Sequence, residues 1–197
     1  MTKGAKSDEG QKLMLRVKQG DESAFESLVD LYRSQVVGMV YRYLGDAARA
    51  EDVAQEAFLR VYRARKSYKP LAQFKTWLFR IVYNLVVNEA NARKRNAALS
   101  LERLRASEDG AFFVEDENAP IPEKELEHAE LLAKVREAVL DLPENQRMAL
   151  VMNKYRDMPY VEIAQAMGLS VEAVKSMLFR AREKVRNKLI RYMQVPL

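Results

Sequence analysis

The chain has 197 residues with a net charge of +5, and its hydrophobic fraction of 48% is enough to build packed cores. It contains no Cys, which excludes disulfides, Cys-ligated zinc and thiol catalysis and fits a reducing compartment. No apolar run approaches the roughly 18 residues of a membrane span, and MTKGAKSDEGQK lacks the apolar stretch of a signal peptide, so a soluble cytoplasmic protein without membrane insertion is expected.

Charge is segregated. Residues 1–96 hold 18 basic and 11 acidic side chains, 97–130 hold 3 and 10, and 131–197 hold 12 and 7. Two basic blocks around an acidic one raise the expectation of a nucleic-acid partner. No alternating strand pattern of useful length occurs, so the fold class is all-α. Breaks at Gly20-Asp21, Gly45-Asp46 and Leu142-Pro143-Glu144 carry N-caps or N1 prolines. They divide the first block into helices near 8–18, 21–44, 49–66 and 73–95. The last block divides into helices near 128–140, 144–155, 159–166 and 170–192.

In AEDVAQEAFLRVYR (50–63), Ala50, Val53, Ala54, Ala57, Phe58, Val61 and Tyr62 follow the helical period and pack inward. The opposite stripe is Asp52, Gln55, Glu56, Leu59 and Arg63. It reads as a solvated face or, because Leu59 sits among charges, as a protein-binding face.

The next helix begins FKTWLFRIVYNLVVNEANARKR (74–95) and holds the single Trp of the chain. Phe74, Leu78, Ile81, Val82 and Leu85 share a core face, which Trp77 borders. Thr76, Arg80, Asn84 and Asn91 form a second stripe beside Tyr83 and Val87, and Arg93, Lys94 and Arg95 close the segment. Basic residues near a helix end complement its dipole. Basic, aromatic and amide groups together also suit unstacked bases, with the aromatics stacking and the amides reading base edges. Spacing leaves both readings open, and it leaves Trp77 and Phe79 open between core and ligand.

Residues 106–125, ASEDGAFFVEDENAPIPEKE, have the acidic, Pro-containing composition of a linker. The pair Phe112-Phe113 within it suits a contact with a neighbouring domain or docking into a partner's channel. The one His, His128, stands at its edge and is expected to be solvated rather than catalytic.

In YVEIAQAMGLSVEAVKSMLFRAR (160–182), Ile163, Met167, Leu169, Val174 and Met177 are spaced for a helix-turn-helix. Ala164 allows close helix approach, Gly168 suits the turn, and Ser170 is placed to cap the second helix. Val174, Leu178, Ala181, Val185 and Leu189 form that helix's core stripe. Glu172, Ser176, Phe179, Arg180 and Glu183 lie opposite, flanked by Ala173 and Lys175. Residues 175–191 carry seven Lys or Arg and one Glu, which suits phosphates and guanine edges.

A basic helical domain, an acidic linker and a helix-turn-helix domain, in that order, resemble a bacterial sigma factor of the extracytoplasmic-function group of the sigma-70 family. The matching segments are GDESAFESLVDLY (20–32), AEDVAQEAFLRVYR (50–63), FKTWLFRIVYNLVVN (74–88), LPENQRMALVM (142–152) and YVEIAQAMGLSVEAVKSMLFRARE (160–183). The resemblance implies two small helical domains joined by a flexible linker: 1–96 for polymerase binding and the minus-ten element, 97–127 as linker, and 128–197 as a four-helix helix-turn-helix domain. It implies that Asp52, Gln55, Glu56, Leu59 and Arg63 contact the clamp helices of the largest subunit of core RNA polymerase, with the flap of the second largest subunit as a further contact. It implies that Phe74, Lys75, Trp77, Arg80, Asn84, Asn88, Arg93 and Arg95 meet promoter DNA at a melted minus-ten element. It also implies that Glu172, Ala173, Lys175, Ser176, Phe179 and Arg180 meet the minus-thirty-five duplex. An anti-sigma factor is an implied partner, and the acidic linker would mimic RNA in the polymerase channel. Two segments depart from the family pattern. Asp157-Met158-Pro159 stands where Gly-Leu-Ser is frequent, and Lys69-Pro70-Leu71-Ala72-Gln73 lacks the usual Gly-Asp or Gly-Glu.

A stand-alone helix-turn-helix regulator is the alternative, and it leaves the 50–63 stripe and the 70–95 helix without a task. No Gly-rich phosphate loop or paired metal-ligand motif is present, so neither an enzyme nor a cofactor or metal is expected.

Overall fold

The computed structural model describes residues 8–100 and 123–193, with side chains described for 8–88 and 130–190. Within these residues the order is α1 (Glu9–Lys18), α2 (Glu22–Leu44), α3 (Ala47–Arg63), a 3-10 turn (Arg65–Ser67), α4 (Phe74–Ser100), α5 (Glu123–Leu140), α6 (Glu144–Arg156), α7 (Tyr160–Met167) and α8 (Val171–Met193). The all-α expectation holds. Phe112 and Phe113, and the side chains of Asn91, Arg93, Lys94, Arg95 and His128, lie outside the described residues.

An aspartate starts each of the first three helices. Asp8, Asp21 and Asp46 accept from the backbone N–H of Gln11, Ala24 and Arg49, satisfying donors a helix start otherwise leaves open. The Ser23 hydroxyl, the Ala24 N–H and Arg16 hold the Asp21 carboxyl down at about 2. Gly168 ends α7 in the left-handed region at φ 67°, and the Ser170 hydroxyl accepts from Ala173 N at 3.1 Å. Both positions act as their spacing predicts.

Four boundaries differ from the periodic reading. Helix α3 stops at Arg63, and the chain tightens into the 3-10 turn, where Arg65 lies over the Tyr62 ring and donates to the Tyr62 carbonyl. Helix α4 continues to Ser100 because NAALS offers no breaker and three good helix formers. Helix α5 starts at Glu123, since EKELE is itself a run of helix formers. Pro159 occupies the N-cap of α7 rather than its first turn.

The predicted inward stripes are buried in part; Tyr62, Ile81, Leu85, Val185 and Leu189, expected on them, are only half-buried. Ala50, Val53, Ala54, Ala57, Phe58 and Val61 of α3, Phe74, Leu78 and Val82 of α4, and Val174, Leu178 and Ala181 of α8 are all buried. One apolar cluster joins the helices before the acidic segment to those after it. Arg147 donates to the Tyr43 carbonyl at 2.9 Å and Arg136 to the Gly45 carbonyl at 2.6 Å. Arg42 lies 4.5 Å over Tyr155, and Tyr83 donates to Asn145 at 3.2 Å. Like charges meet here too: burial and the neighbouring Arg42 push the Arg156 guanidinium down. The contact is therefore part apolar, part polar, and includes a repulsive pair.

Candidate functional site

The outer stripe of α3 stands clear. Asp52, Gln55, Leu59 and Arg63 are exposed, and Glu56 is half-buried. Leu59 exposes 50% of its surface. Arg60 at 2.7 Å and Arg63 at 3.9 Å share the Glu56 carboxylate, and the Arg60 hydrogen bond holds its pKa down. Beside this stripe runs a groove of about 290 Å³ between α2 and α3, lined by Phe25, Val29, Arg33, Ala54, Gln55, Phe58 and Leu59. Its floor is apolar and its rim charged, as in a protein-binding patch. Phe25 and Val29 carry no signal of this in sequence, because only the α2–α3 packing sets them beside Leu59.

The second region is the loop 68–73 and the start of α4. A cavity of about 520 Å³ opens there, lined by Tyr68, Lys69, Leu71, Ala72, Thr76, Trp77, Arg80 and others. Trp77 is half-buried. Its ring tilts against Tyr68 at 4.9 Å and Phe74 at 5.7 Å, and it borders the cavity. Burial pushes the Tyr68 hydroxyl up to about 12, with Asp8 adding to the shift. Arg80, Asn84 and Asn88 are exposed and Lys75 half-buried. Phe74 corrects the expectation: at 0% exposure it is a core residue that fixes the helix start, and DNA cannot reach it. Phe79 is likewise core.

Thr76, placed by periodicity on the open stripe, is 3% exposed. Helix α7 covers it. Glu162 of α7 accepts from the Thr76 hydroxyl at 3.3 Å and pairs with Lys75 at 3.5 Å, and Gln165 closes one wall of the cavity. No local signal in the sequence could place Glu162 there.

The third region is the outer side of α8. Glu172, Lys175, Ser176, Phe179 and Arg180 are exposed and Ala173 half-buried. Phe179 exposes 62% of its surface and offers an apolar face on this side of the helix. Gly168 and the Ser170 cap set the angle at which α8 leaves α7. Among the described residues no cluster of three or more His, Cys, Asp or Glu could hold a metal ion, and no helix is long and apolar enough to cross a membrane.

Known proteins resemble this chain over most of its length. Sigma-70 region 2 matches residues 28–96, and Sigma-70, region 4 matches residues 132–185. The RNA polymerase sigma-H factor of Pseudomonas aeruginosa is 36% identical over 92% of this chain and 94% of its own length. The ECF RNA polymerase sigma-E factor of Escherichia coli is 37% identical over 91% of this chain and 93% of its own. The sigma factor RpoE of Bartonella quintana, solved in complex with the anti-sigma factor NepR, shares the fold with a TM-score of 0.66, covering 84% of this chain and 96% of that one at 20% identity. With two basic helical regions matched in order and relatives aligned over nearly their whole length, the chain belongs to the sigma-70 family as an extracytoplasmic-function sigma factor, a transcription initiation factor that directs RNA polymerase to promoters.

Proposed function

We propose that the three regions are three contact surfaces of one initiation factor. The α3 stripe of Asp52, Gln55, Glu56, Leu59 and Arg63, with the α2–α3 groove, seats the clamp helices of the largest polymerase subunit. Leu59 is the apolar anchor and the charges form the rim. The cavity at 68–80 takes an unstacked minus-ten base, with Trp77 as stacking surface, Lys75 and Arg80 on phosphates, and Asn84 and Asn88 within reach of base edges. The α8 stripe of Glu172, Ala173, Lys175, Ser176, Phe179 and Arg180 enters the minus-thirty-five major groove. In this reading 1–96 and 128–197 are the working domains and 97–127 the linker between them. The protein acts in the cytoplasm without catalysing a reaction, meets the polymerase flap through its second domain, and is held by an anti-sigma factor.

The observation that carries this reading is the α2–α3 groove with Leu59 at its edge. A stand-alone DNA-binding regulator has no use for it. The arrangement also sets a condition. Lys75 cannot serve Glu162 and a DNA phosphate together, and Gln165 occupies a wall of the cavity that DNA would enter. Helix α7 must leave α4 before the minus-ten surface works.

The test is reconstitution. Purified chain added to core polymerase is expected to give run-off transcripts from a restricted set of templates in a promoter library, with none from core enzyme alone. Tight binding to duplex promoter by the chain alone, with no association with core enzyme, would overturn it in favour of the stand-alone regulator.

A further inference from the structure

Helix α1 lies outside the residues matched to Sigma-70 region 2, which begin at 28. It packs chiefly against α2, yet two of its side-chain hydrogen bonds and its N-cap converge on one further segment. Gln11 Nε2 donates to the Ala72 carbonyl at 2.7 Å, and Lys18 Nζ donates to the Tyr68 carbonyl at 2.9 Å. Asp8 uses both carboxylate oxygens: Oδ1 accepts from Gln11 N at 2.6 Å to cap α1, and Oδ2 accepts from Phe74 N at 2.9 Å to cap α4. One aspartate thus starts two helices and ties their first turns together.

Gly10 makes the approach possible. A Cβ there would stand 2.5 Å from the Tyr32 hydroxyl and 2.7 Å from the Phe74 ring, so no larger residue lets α1 lie this close to the α4 start. Between the tied ends, residues 68–73 have no helix or strand of their own. Leu71 at the loop tip is 89% exposed. The loop borders the cavity with Lys69, Leu71 and Ala72, while its terminal carbonyls and the amide after it are held from behind by α1.

We propose that the loop 68–73, which walls the minus-ten cavity with Lys69, Leu71 and Ala72, contributes to base preference there, and that α1 governs this contribution through Gln11 and Lys18 as positioning residues that hold the loop in one shape. The inference rests on the minus-ten reading of that cavity. A loop that discriminates among bases must present its groups in one geometry, and a loop free at both ends samples many. A loop rich in capping residues can shape itself. Lys69-Pro70-Leu71-Ala72-Gln73 has few groups for that, and the α1 donors supply the constraint from outside.

The experiment uses the full chain assembled with core polymerase on a promoter library randomised over the minus-ten element. Read-outs are base preference at each position, minus-thirty-five preference, core binding and melting temperature. Gln11→Ala and Lys18→Met are expected to lower the preference ratio at one minus-ten position by about threefold to tenfold, the factor one hydrogen bond carries. Core binding and minus-thirty-five preference are expected to stay unchanged. Gln11→Lys and Lys18→Arg, which keep a donor on the same carbonyl, are expected to restore the ratio. Unchanged ratios in Gln11→Ala and Lys18→Met, or an even loss at every position without rescue, would overturn the proposal. Leu71→Ala and Lys69→Ala separate the two failures. If they shift the minus-ten preference while the α1 variants do not, the role of α1 falls and the cavity reading stands. If they shift nothing, the cavity reading fails and the proposal with it.

Discussion

Glu162, in the first helix of the helix-turn-helix, sits 3.5 Å from Lys75 and 3.3 Å from the Thr76 hydroxyl at the start of α4. One carboxylate therefore occupies two groups of the proposed minus-ten surface and belongs to the unit proposed for minus-thirty-five. Its side chain is 16% exposed and that of Lys75 is 30% exposed, so the pair is better shielded than an ordinary surface ion pair but not dry.

Removing this carboxylate loosens the α4–α7 contact. Glu162→Lys puts like charges together where a partly exposed pair contributes about 0.5–1 kcal/mol. With paired spin labels at Gln55 and Arg186, the variant is expected to show a broader and longer distance distribution than the parent chain, and added salt moves the parent in the same direction. An unchanged distribution would mean that the apolar cluster alone holds the two blocks together.

Leu59→Asp is expected to leave folding intact, because half of that side chain already faces solvent. Polymerase binding weakens by at least about tenfold, the effect of about 1.4 kcal/mol at a central apolar anchor. Competition for core enzyme against labelled parent chain measures it. A variant that competes as well as the parent removes the α3 stripe from the interface.

Arg180 is exposed on the outer side of α8. If it reads a base edge, Arg180→Ala relaxes selection at one minus-thirty-five position by about 1–3 kcal/mol. If it meets only phosphate, binding weakens evenly across sequences and the salt slope flattens. Position-by-position binding to a randomised minus-thirty-five duplex separates the two, and the base-edge outcome is expected.

Asp157 holds a left-handed backbone at φ 49° after α6. Asp, like Asn, tolerates this better than most non-Gly residues, but the conformation still costs energy. Asp157→Gly is expected to stabilise by about 0.5–1 kcal/mol, and Asp157→Val to destabilise by about 1–2 kcal/mol. Urea midpoints check both, and a destabilised Gly variant would show that the carboxylate has a role of its own.

Lys188 of α8 pairs with Glu137 at 2.9 Å and also with Asp141, fastening α8 to α5 and the turn after it. The Lys188 hydrogen bonds hold both carboxyls below their ordinary values of 4.5 and 3.8, and the lysine is raised above 10.5. The carboxylate part of the stabilisation is complete above the ordinary values and is lost as pH falls through the depressed ones. The lysine part is complete below 10.5 and is lost as pH rises through the raised value. Lys188→Met is therefore expected to lower the urea midpoint near pH 7 and to match the parent at both extremes. Since all three groups are well exposed, the effect at neutral pH is small. A difference that does not change with pH would assign it to packing of the lysine stem.

What α3 buries, where α7 ends, which residue caps α8 and the first three residues of the α8 core stripe are legible in the sequence. Each is decided within one or two helical turns, where period, caps and a single positive-φ position act locally. The same locality let the sequence nominate Leu59 and the basic, aromatic start of α4. Its limits show at Thr76. Periodicity puts Phe74 on a core face, and the fold keeps it there against Tyr32; it puts Thr76 on an open stripe, and the fold buries that residue under α7. The α2–α3 groove, the hold of α1 on the loop 68–73 and the Glu162 contact are likewise products of tertiary structure. The bonds that define the last two join residues 61, 66 and 86 positions apart. A hydrogen bond across such a separation leaves no periodic trace in the chain, because it depends on how whole helices are placed and not on which residues neighbour each other.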